Sequence, residues 1–215
     1  MVDDTEQSKA VETEIGLIAK QSYLVRYCDD FIILMQSKEE ARMVKEMIEK
    51  RFKEYGLELN EEKTKVVSFG RYEKENAERQ KRKANTFDFL GITHYGEISR
   101  RGKFKVGRRT SRKRFARSCQ AMNGWLKDIR NAMKTKEWWP TLIAKIRGHY
   151  QYYGISENYQ AIREYYYRVV KMVFKWLNRR NQKKRLVWEQ FKESLKLHPL
   201  PKPRIMHSFY TWSHA

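Results

Sequence analysis

The chain has almost no cysteine: Cys28 and Cys119 stand far apart, with no metal-type spacing, which fits a reducing compartment. It also lacks long apolar runs. None approaches the roughly 20 residues that cross a bilayer, so no membrane partner is expected. The opening Met1-Val2-Asp3-Asp4 is acidic and polar, unlike a secretory signal. The expected location is cytoplasmic, in a bacterial-type cell or an organellar matrix. His149, His198 and His207 show no ligand spacing, no paired Cys or His pattern of an HNH-type endonuclease is present, and no internal repeat is visible. Acid is scarcest relative to base. There are 46 Lys and Arg against 26 Asp and Glu, a formal charge of +20 and a pI near 9.9. Such a field attracts polyanions, and the usual polyanion is nucleic acid.

Apolar residues make up 40 % of the chain and aromatics 13 %, enough for a folded core and too much for a disordered tail. Tyr23–Tyr27 and Phe31–Met35 are β-type runs around Cys28-Asp29-Asp30, which reads as a tight hairpin. Ser37-Lys-Glu-Glu40 is a capping box for a helix whose apolar positions run from Ala41 to Tyr55, with Gly56 as its stop. Leu57–Leu59 and Val66–Phe69 read as strands, residues 71–85 as a charged loop, and Phe87–Ile92 as a short strand. A turn at Gly96 then leads to a basic strand, Lys103–Val106. Beyond Thr110 the period becomes helical. Phe115, Cys119, Met122, Leu126, Ile129 and Met133 define one stripe. A second helix starts at Pro140, carries Ile143, Ile146, Tyr150 and Tyr153 on one side, and ends at Gly154. A third runs from about Asn158 to Asn181, with Tyr166, Val169, Val170, Val173 and Leu177 as its apolar face. Three such helices suggest a small bundle, and Pro199–Pro203 should be extended.

Between Glu97 and Asp128 lie eleven basic residues and no acid, among them Arg108, Arg109, Arg112, Lys113, Arg114 and Arg117. In the third helix Arg168, Lys171, Lys175 and Arg179 fall opposite the apolar face, and Arg180, Lys183 and Lys184 extend the stripe. A run of charge is usually a solvated face, but the exclusion of acid leaves self-repulsion that a polyanion would relieve. The aromatics Trp125, Trp138, Trp139, Tyr152, Tyr165 to Tyr167 and Trp176 read first as bundle core and rim.

The acidic pair Asp29-Asp30 has two readings. Asp is a common turn residue, so the pair can be conformational. A turn selected for conformation alone would, however, favour Asn-Gly or Asp-Gly, and no Gly is present. Paired carboxylates in a polyanion-binding chain can hold divalent metal against phosphate, as two-metal nucleotidyl transfer requires.

Tyr27-Cys28-Asp29-Asp30 resembles the Tyr-x-Asp-Asp box of reverse transcriptases, and the chain beyond this box resembles the group II intron reverse transcriptase/maturase family in order and spacing. Gly56-Leu-Glu-Leu-Asn60 with Lys63-Thr64-Lys65 is similar to the family's next palm motif, and Phe89-Leu90-Gly91 to its primer grip. Arg147-Gly148 with Tyr150 and Tyr152-Tyr153-Gly154, and then Trp176-Leu-Asn-Arg-Arg180, resemble the maturase thumb, or domain X. Pro201-Lys-Pro-Arg204 with His207-Ser208 resembles the family's tail.

The resemblance, over about residues 23–210, implies an α+β chain. It would comprise a leader (1–22), the C-terminal part of a reverse-transcriptase palm (23–107), a three-helix thumb (108–185) and a tail (186–215). It also implies Asp29 and Asp30 as catalytic Mg²⁺ ligands, and Tyr27 beside the nucleotide and primer. Lys63 or Lys65 would lie near the incoming triphosphate, Phe89, Leu90 and Gly91 would set the primer end, and Arg147 and Arg180 would join the RNA-binding surface. Position 28 is Cys where Ala is commoner, and position 61 is Glu where Pro is usual. The fingers and first half of the palm, with another metal-binding Asp, have no counterpart here. Asp3 and Asp4 follow no apolar strand and do not replace it.

The expected partners are thus structured RNA (intron RNA above all), RNA template with DNA primer, and a second polypeptide carrying the missing half. Polymerase activity is expected only with that partner. A stand-alone RNA-binding splicing factor or an inactive remnant, each with a vestigial Asp pair, is the rival. Reverse transcriptases of antiviral defence share the hairpin but not the thumb.

Overall fold

The computed structural model describes residues 21–180 and 185–210. The leader expected over residues 1–22 lies, up to residue 20, outside the described residues, as do the positions Lys183 and Lys184. The α+β expectation holds, with helices and two small antiparallel sheets. The chain divides into two compact units. One runs up to Leu90 and includes Gly96–Lys105; the other is Gly91–Tyr95 with the chain from Val106 onward.

In the first unit, β1 (Ser22–Tyr27) and β2 (Asp30–Met35) pair antiparallel from Ser22 opposite Met35 to Tyr27 opposite Asp30. Strand alternation sends Phe31, Ile33 and Met35 to one face, where they meet Val44 and Ile48 of α1 (Lys38–Glu54). The opposite face leaves Tyr23, Val25, Tyr27 and Leu34 exposed. The start of α1 is half of the expected capping box. Ser37 Oγ accepts the Glu40 N–H at 3.3 Å, while the hydroxyl itself donates to Glu39 rather than receiving help from Glu40. The end is a Schellman motif: Gly56 has φ +68°, its N–H donates to Lys53 O, and the Leu57 N–H donates to Phe52 O.

Four expectations in this unit need correction. Leu57–Leu59 and Val66–Phe69 pair with no strand among the described residues, and Leu57, Val66 and Val67 are exposed. A β-type composition makes a strand only where a neighbour completes the ladder. Residues 71–85 are not all loop, because α2 (Glu73–Arg79) forms there. The buried Glu73 carboxylate holds it by taking the Arg82 guanidinium at 2.6 Å and the Asn85 N–H at 2.9 Å. That long-range pairing leaves no periodic signal. The strand expected over Phe87–Ile92 is broken at Leu90-Gly91 into β3 (Thr86–Phe89) and β4 (Ile92–Ile98), which with β5 (Phe104–Thr110) form a sheet in the order β3-β4-β5. Gly96 is not a turn. It stays within β4, where a Cβ would come within 3.1 Å of the Phe104 ring, and the turn falls at Arg100–Gly102 with Gly102 at φ +72°.

The second unit is dominated by α3 (Arg112–Ala132), α4 (Thr135–Tyr153), α5 (Tyr159–Arg180) and α6 (Trp188–Leu197). Of the α3 stripe, Cys119, Met122 and Leu126 are buried, Phe115 and Ile129 flank the core, and Met133 lies at the exposed end. Ser111 Oγ caps the helix on the Arg114 N–H. Helix α4 begins at Thr135, not at Pro140, because Glu137 accepts the Lys134 N–H at 3.0 Å and closes the first turn. Pro140 sits in the second turn, where its missing N–H costs the helix one bond.

The buried face of α5 is Ile162, Tyr165, Val169, Val170, Val173 and Trp176, with the expected Tyr166 and Leu177 at its border. Fully buried Leu142, Ile146, Val169 and Val173 each contribute about 1.5–3 kcal/mol by burial. Helix α6 was not expected from sequence. It inserts Phe191 and its own Trp188 against Phe174 of α5. Pro199–Pro203 is irregular, and the Pro201 carbonyl accepts the Tyr150 hydroxyl at 3.1 Å.

Candidate active-site hairpin and nucleic-acid interface

Only Cys28 and Asp29 separate β1 from β2, so the hairpin turns in two residues. Cys28 takes φ +53°, a left-handed conformation that costs a residue with a Cβ about 1–2 kcal/mol. Glycine there would remove that cost, so the sequence is not optimised for the turn alone. Strain of this kind concentrates at functional sites. Arg26 Nε donates to the Cys28 carbonyl at 2.8 Å and braces the bend. Asp29 sits in the loop and Asp30 opposite Tyr27. All three are exposed, and neither carboxylate has a side-chain partner among the described residues. The hairpin therefore presents two anionic groups to solvent at one end of a strained, braced turn.

Carboxylate oxygens suit a hard cation such as Mg²⁺, which commonly takes one or two carboxylates and completes its shell with water and substrate phosphate. The pair fits that role in kind. Among the described residues no group of three or more His, Cys, Asp or Glu is placed to hold a metal.

Lys63 and Lys65 lie in the irregular segment after α1, exposed. The Lys63 N–H donates to both Asn60 O and Asn60 Oδ1 at 3.1 Å, an Asx-type turn. No contact links either lysine to the acidic hairpin among the described residues. Phe89, Leu90 and Gly91 form the β3–β4 turn. Leu90 at φ +49° and Gly91 at φ +77° make both central residues left-handed, as a type I′ turn requires. The Gly91 carbonyl accepts the Ser111 N–H at 2.9 Å, and a Cβ on Gly91 would come within 3.1 Å of Arg114 Cγ. A second turn with a left-handed non-glycine residue, Leu90, thus coincides with the Phe89-Leu90-Gly91 motif.

Residues 5–94 match the family model for reverse transcriptase (RNA-dependent DNA polymerase). This stretch is similar to reverse transcriptases. It contains the acidic hairpin, both lysines and the Phe89-Leu90-Gly91 turn, and ends within β4. A comparison with curated proteins finds no match. Among the described residues, no helix is long and apolar enough to cross a membrane.

The basic residues of the helical unit divide by what they touch. Arg108 pairs with Glu157 at 3.0 Å and lies over the Phe209 ring, and Arg109 lies over Tyr95. Arg168 pairs with Glu164 and covers Phe115. Lys175 and Arg179, with Arg130, hold their charged heads 4.6–5.2 Å from the centre of the buried Trp176 ring, so these cations are engaged by the protein's own aromatic face. Arg180 donates to Thr135 Oγ1. Arg112, Lys113, Arg117, Arg147 and Lys171 are exposed, with no acidic partner among the described residues.

Two groups in this unit escaped sequence reasoning. Asn158 is buried and accepts the Thr110 N–H at 2.8 Å, while its amide donates to Thr110 Oγ1 and the Tyr153 carbonyl. Its place just before a helix was the available signal. His149 stacks on Tyr165 at 3.6 Å, and burial pulls its pKa down to about 4. Only the i, i+3 spacing from Ile146 hinted at that.

Proposed function

We propose that the chain is the RNA-binding C-terminal part of a group II intron-type reverse transcriptase/maturase. The observation that carries this is the solvent-facing Asp29-Asp30 pair on a strained hairpin, inside the segment that matches the reverse-transcriptase family. Asp29 and Asp30 are the residues that would hold Mg²⁺. When bound, the metal supplies activation of an attacking hydroxyl and stabilisation of the leaving phosphate. Tyr27, across from Asp30, borders the same site, and Leu90-Gly91 offers a rigid turn for a primer end. Two carboxylates are an incomplete setting for two ions, so polymerisation needs the fingers and first palm half, supplied upstream in a longer chain or by a second polypeptide. The helical unit supports the RNA role through exposed cations with no acidic partner among the described residues, the thumb surface of the maturase reading.

The test is binding to a structured intron RNA across a salt series. Each phosphate neutralised contributes about 0.7–0.9 to the slope of log K against log salt. Arg112, Lys113, Arg117 and Lys171 replaced together by Ala should flatten that slope while preserving the helices, since Ala is a strong helix former. An unchanged slope in the folded variant would remove the helical surface from the RNA interface. Salt-independent or absent binding by the unaltered chain would remove the RNA role itself.

A further inference from the structure

A cavity of about 320 Å³ opens in the first unit, walled by Phe69, Gly70, Phe104, Gly96 and Ile98, with Arg71, Lys74 and Asn85 around it. None of the motifs behind the proposed function uses it. The aromatic wall is braced: Phe69 meets Phe87 edge-to-face at 4.9 Å and Phe104 at 6.5 Å. Gly96 leaves Phe104 room to lie against β4.

The charges are asymmetric. Both acids that line the cavity are neutralised by the protein, Glu73 by Arg82 at 2.6 Å and Glu97 by Lys105 at 3.1 Å. Arg71 and Lys74 are exposed and have no acidic partner among the described residues. Asn85 uses its Nδ2 on the Ser68 carbonyl and its backbone N–H on Glu73, so the ion pair that shapes α2 also fixes this side of the cavity. The result is a small aromatic cavity with two uncompensated cations at its edge. An apolar peptide side chain would find the aromatic wall but no counter-charge for the cations. A nucleotide satisfies both, with its base against the phenyl rings and its phosphate on Arg71 or Lys74. The volume lies at the low end of small-ligand sites, about 300–1,000 Å³, which restricts the occupant to a single base.

We propose that this cavity captures one unpaired nucleotide of bound RNA, a stacking contact separate from the acidic hairpin. It rests on the RNA-binding reading above. The experiment compares a short single-stranded oligoribonucleotide with an abasic oligomer of the same length, which keeps the phosphates and deletes the bases. The unaltered chain should prefer the base-bearing strand. Phe104→Leu should reduce that preference by a factor of about 5 to 150, the range of base–aromatic stacking, and leave abasic affinity unchanged. Arg71→Ala with Lys74→Ala should weaken both strands alike.

In the unaltered chain, 4-thiouridine cross-links should map to the segments bearing Phe69 to Lys74 or Ile98 to Phe104. A Phe104→Leu chain that retains its base preference would overturn the proposal, as would cross-links confined to other segments. Failure of the unaltered chain to bind either strand or structured RNA would instead remove the RNA-binding reading beneath it.

Discussion

His149 offers the sharpest test of how the helical unit is held. Its ring is stacked on Tyr165 and lies 4.7 Å from Tyr153, and burial lowers its pKa from 6.5 to about 4. Between those values the unfolded chain binds a proton that the native chain refuses. Stability therefore falls as pH drops through that window, at up to about 1.4 kcal/mol per pH unit. Integrated from about pH 7 to about pH 4.5, the single imidazole removes about 2.5 kcal/mol. His149→Phe keeps a flat ring in the stack and deletes the titration. The described tryptophans, Trp125, Trp138, Trp139, Trp176 and Trp188, all lie on helices of this unit, so urea unfolding followed by tryptophan fluorescence reports on it. The variant should lose less stability over the window than the unaltered chain by about that amount, with other carboxylates titrating equally in both. Parallel pH profiles would mean that the native imidazole is hydrated and protonates freely, not packed away from water against Tyr165.

Glu73→Gln removes a buried charge from the partly exposed Arg82. It should destabilise residues 71–85 by about 1–2 kcal/mol, less than a fully buried pair would. Hydrogen exchange there should speed up about 5- to 30-fold, and unchanged exchange would show that α2 stands without the pair. The Arg82 bond holds the Glu73 carboxyl below its usual range, so this contribution is present above the unfolded pKa and is lost as pH falls below it. Asn158→Ala strands the Thr110 N–H and the Tyr153 carbonyl, and should cost about 2–3 kcal/mol in the same urea assay. A loss within about 0.5 kcal/mol would place water at those groups.

What was legible in the sequence was whatever local chemistry decides. The hairpin around Asp29-Asp30 follows from two alternating apolar runs, α1 from Ser37 and Gly56, and the α3 and α5 faces from their apolar period. What was illegible depends on distant partners. Leu57–Leu59 and Val66–Phe69 have strand composition but no neighbour to pair with among the described residues. Helix α2 rests on Glu73 reaching Arg82. The start of α4 is a local exception, because Glu137 closes the first turn on the Lys134 N–H ahead of Pro140. The site followed the same division. Tyr27, Asp29 and Asp30 are adjacent in sequence and in space, whereas the aromatic cavity brings Phe69, which lies outside any strand, to Phe104 of β5, a strand whose preceding turn falls at Arg100–Gly102 and not at Gly96.

Asp29-Asp30 is proposed to form one half of a polymerase metal site. The most direct test is primer extension on an RNA template annealed to a DNA primer in Mg²⁺, with and without a polypeptide carrying reverse-transcriptase fingers and the first palm half. The chain alone should not extend the primer, since two mutually repelling carboxylates make an incomplete shell. Complementation should restore extension, and Asp29→Ala should abolish it while sparing RNA binding. Extension by the chain alone would show that the metal site is complete without the missing half, and restored extension that survives Asp29→Ala would show that the hairpin is not the metal site.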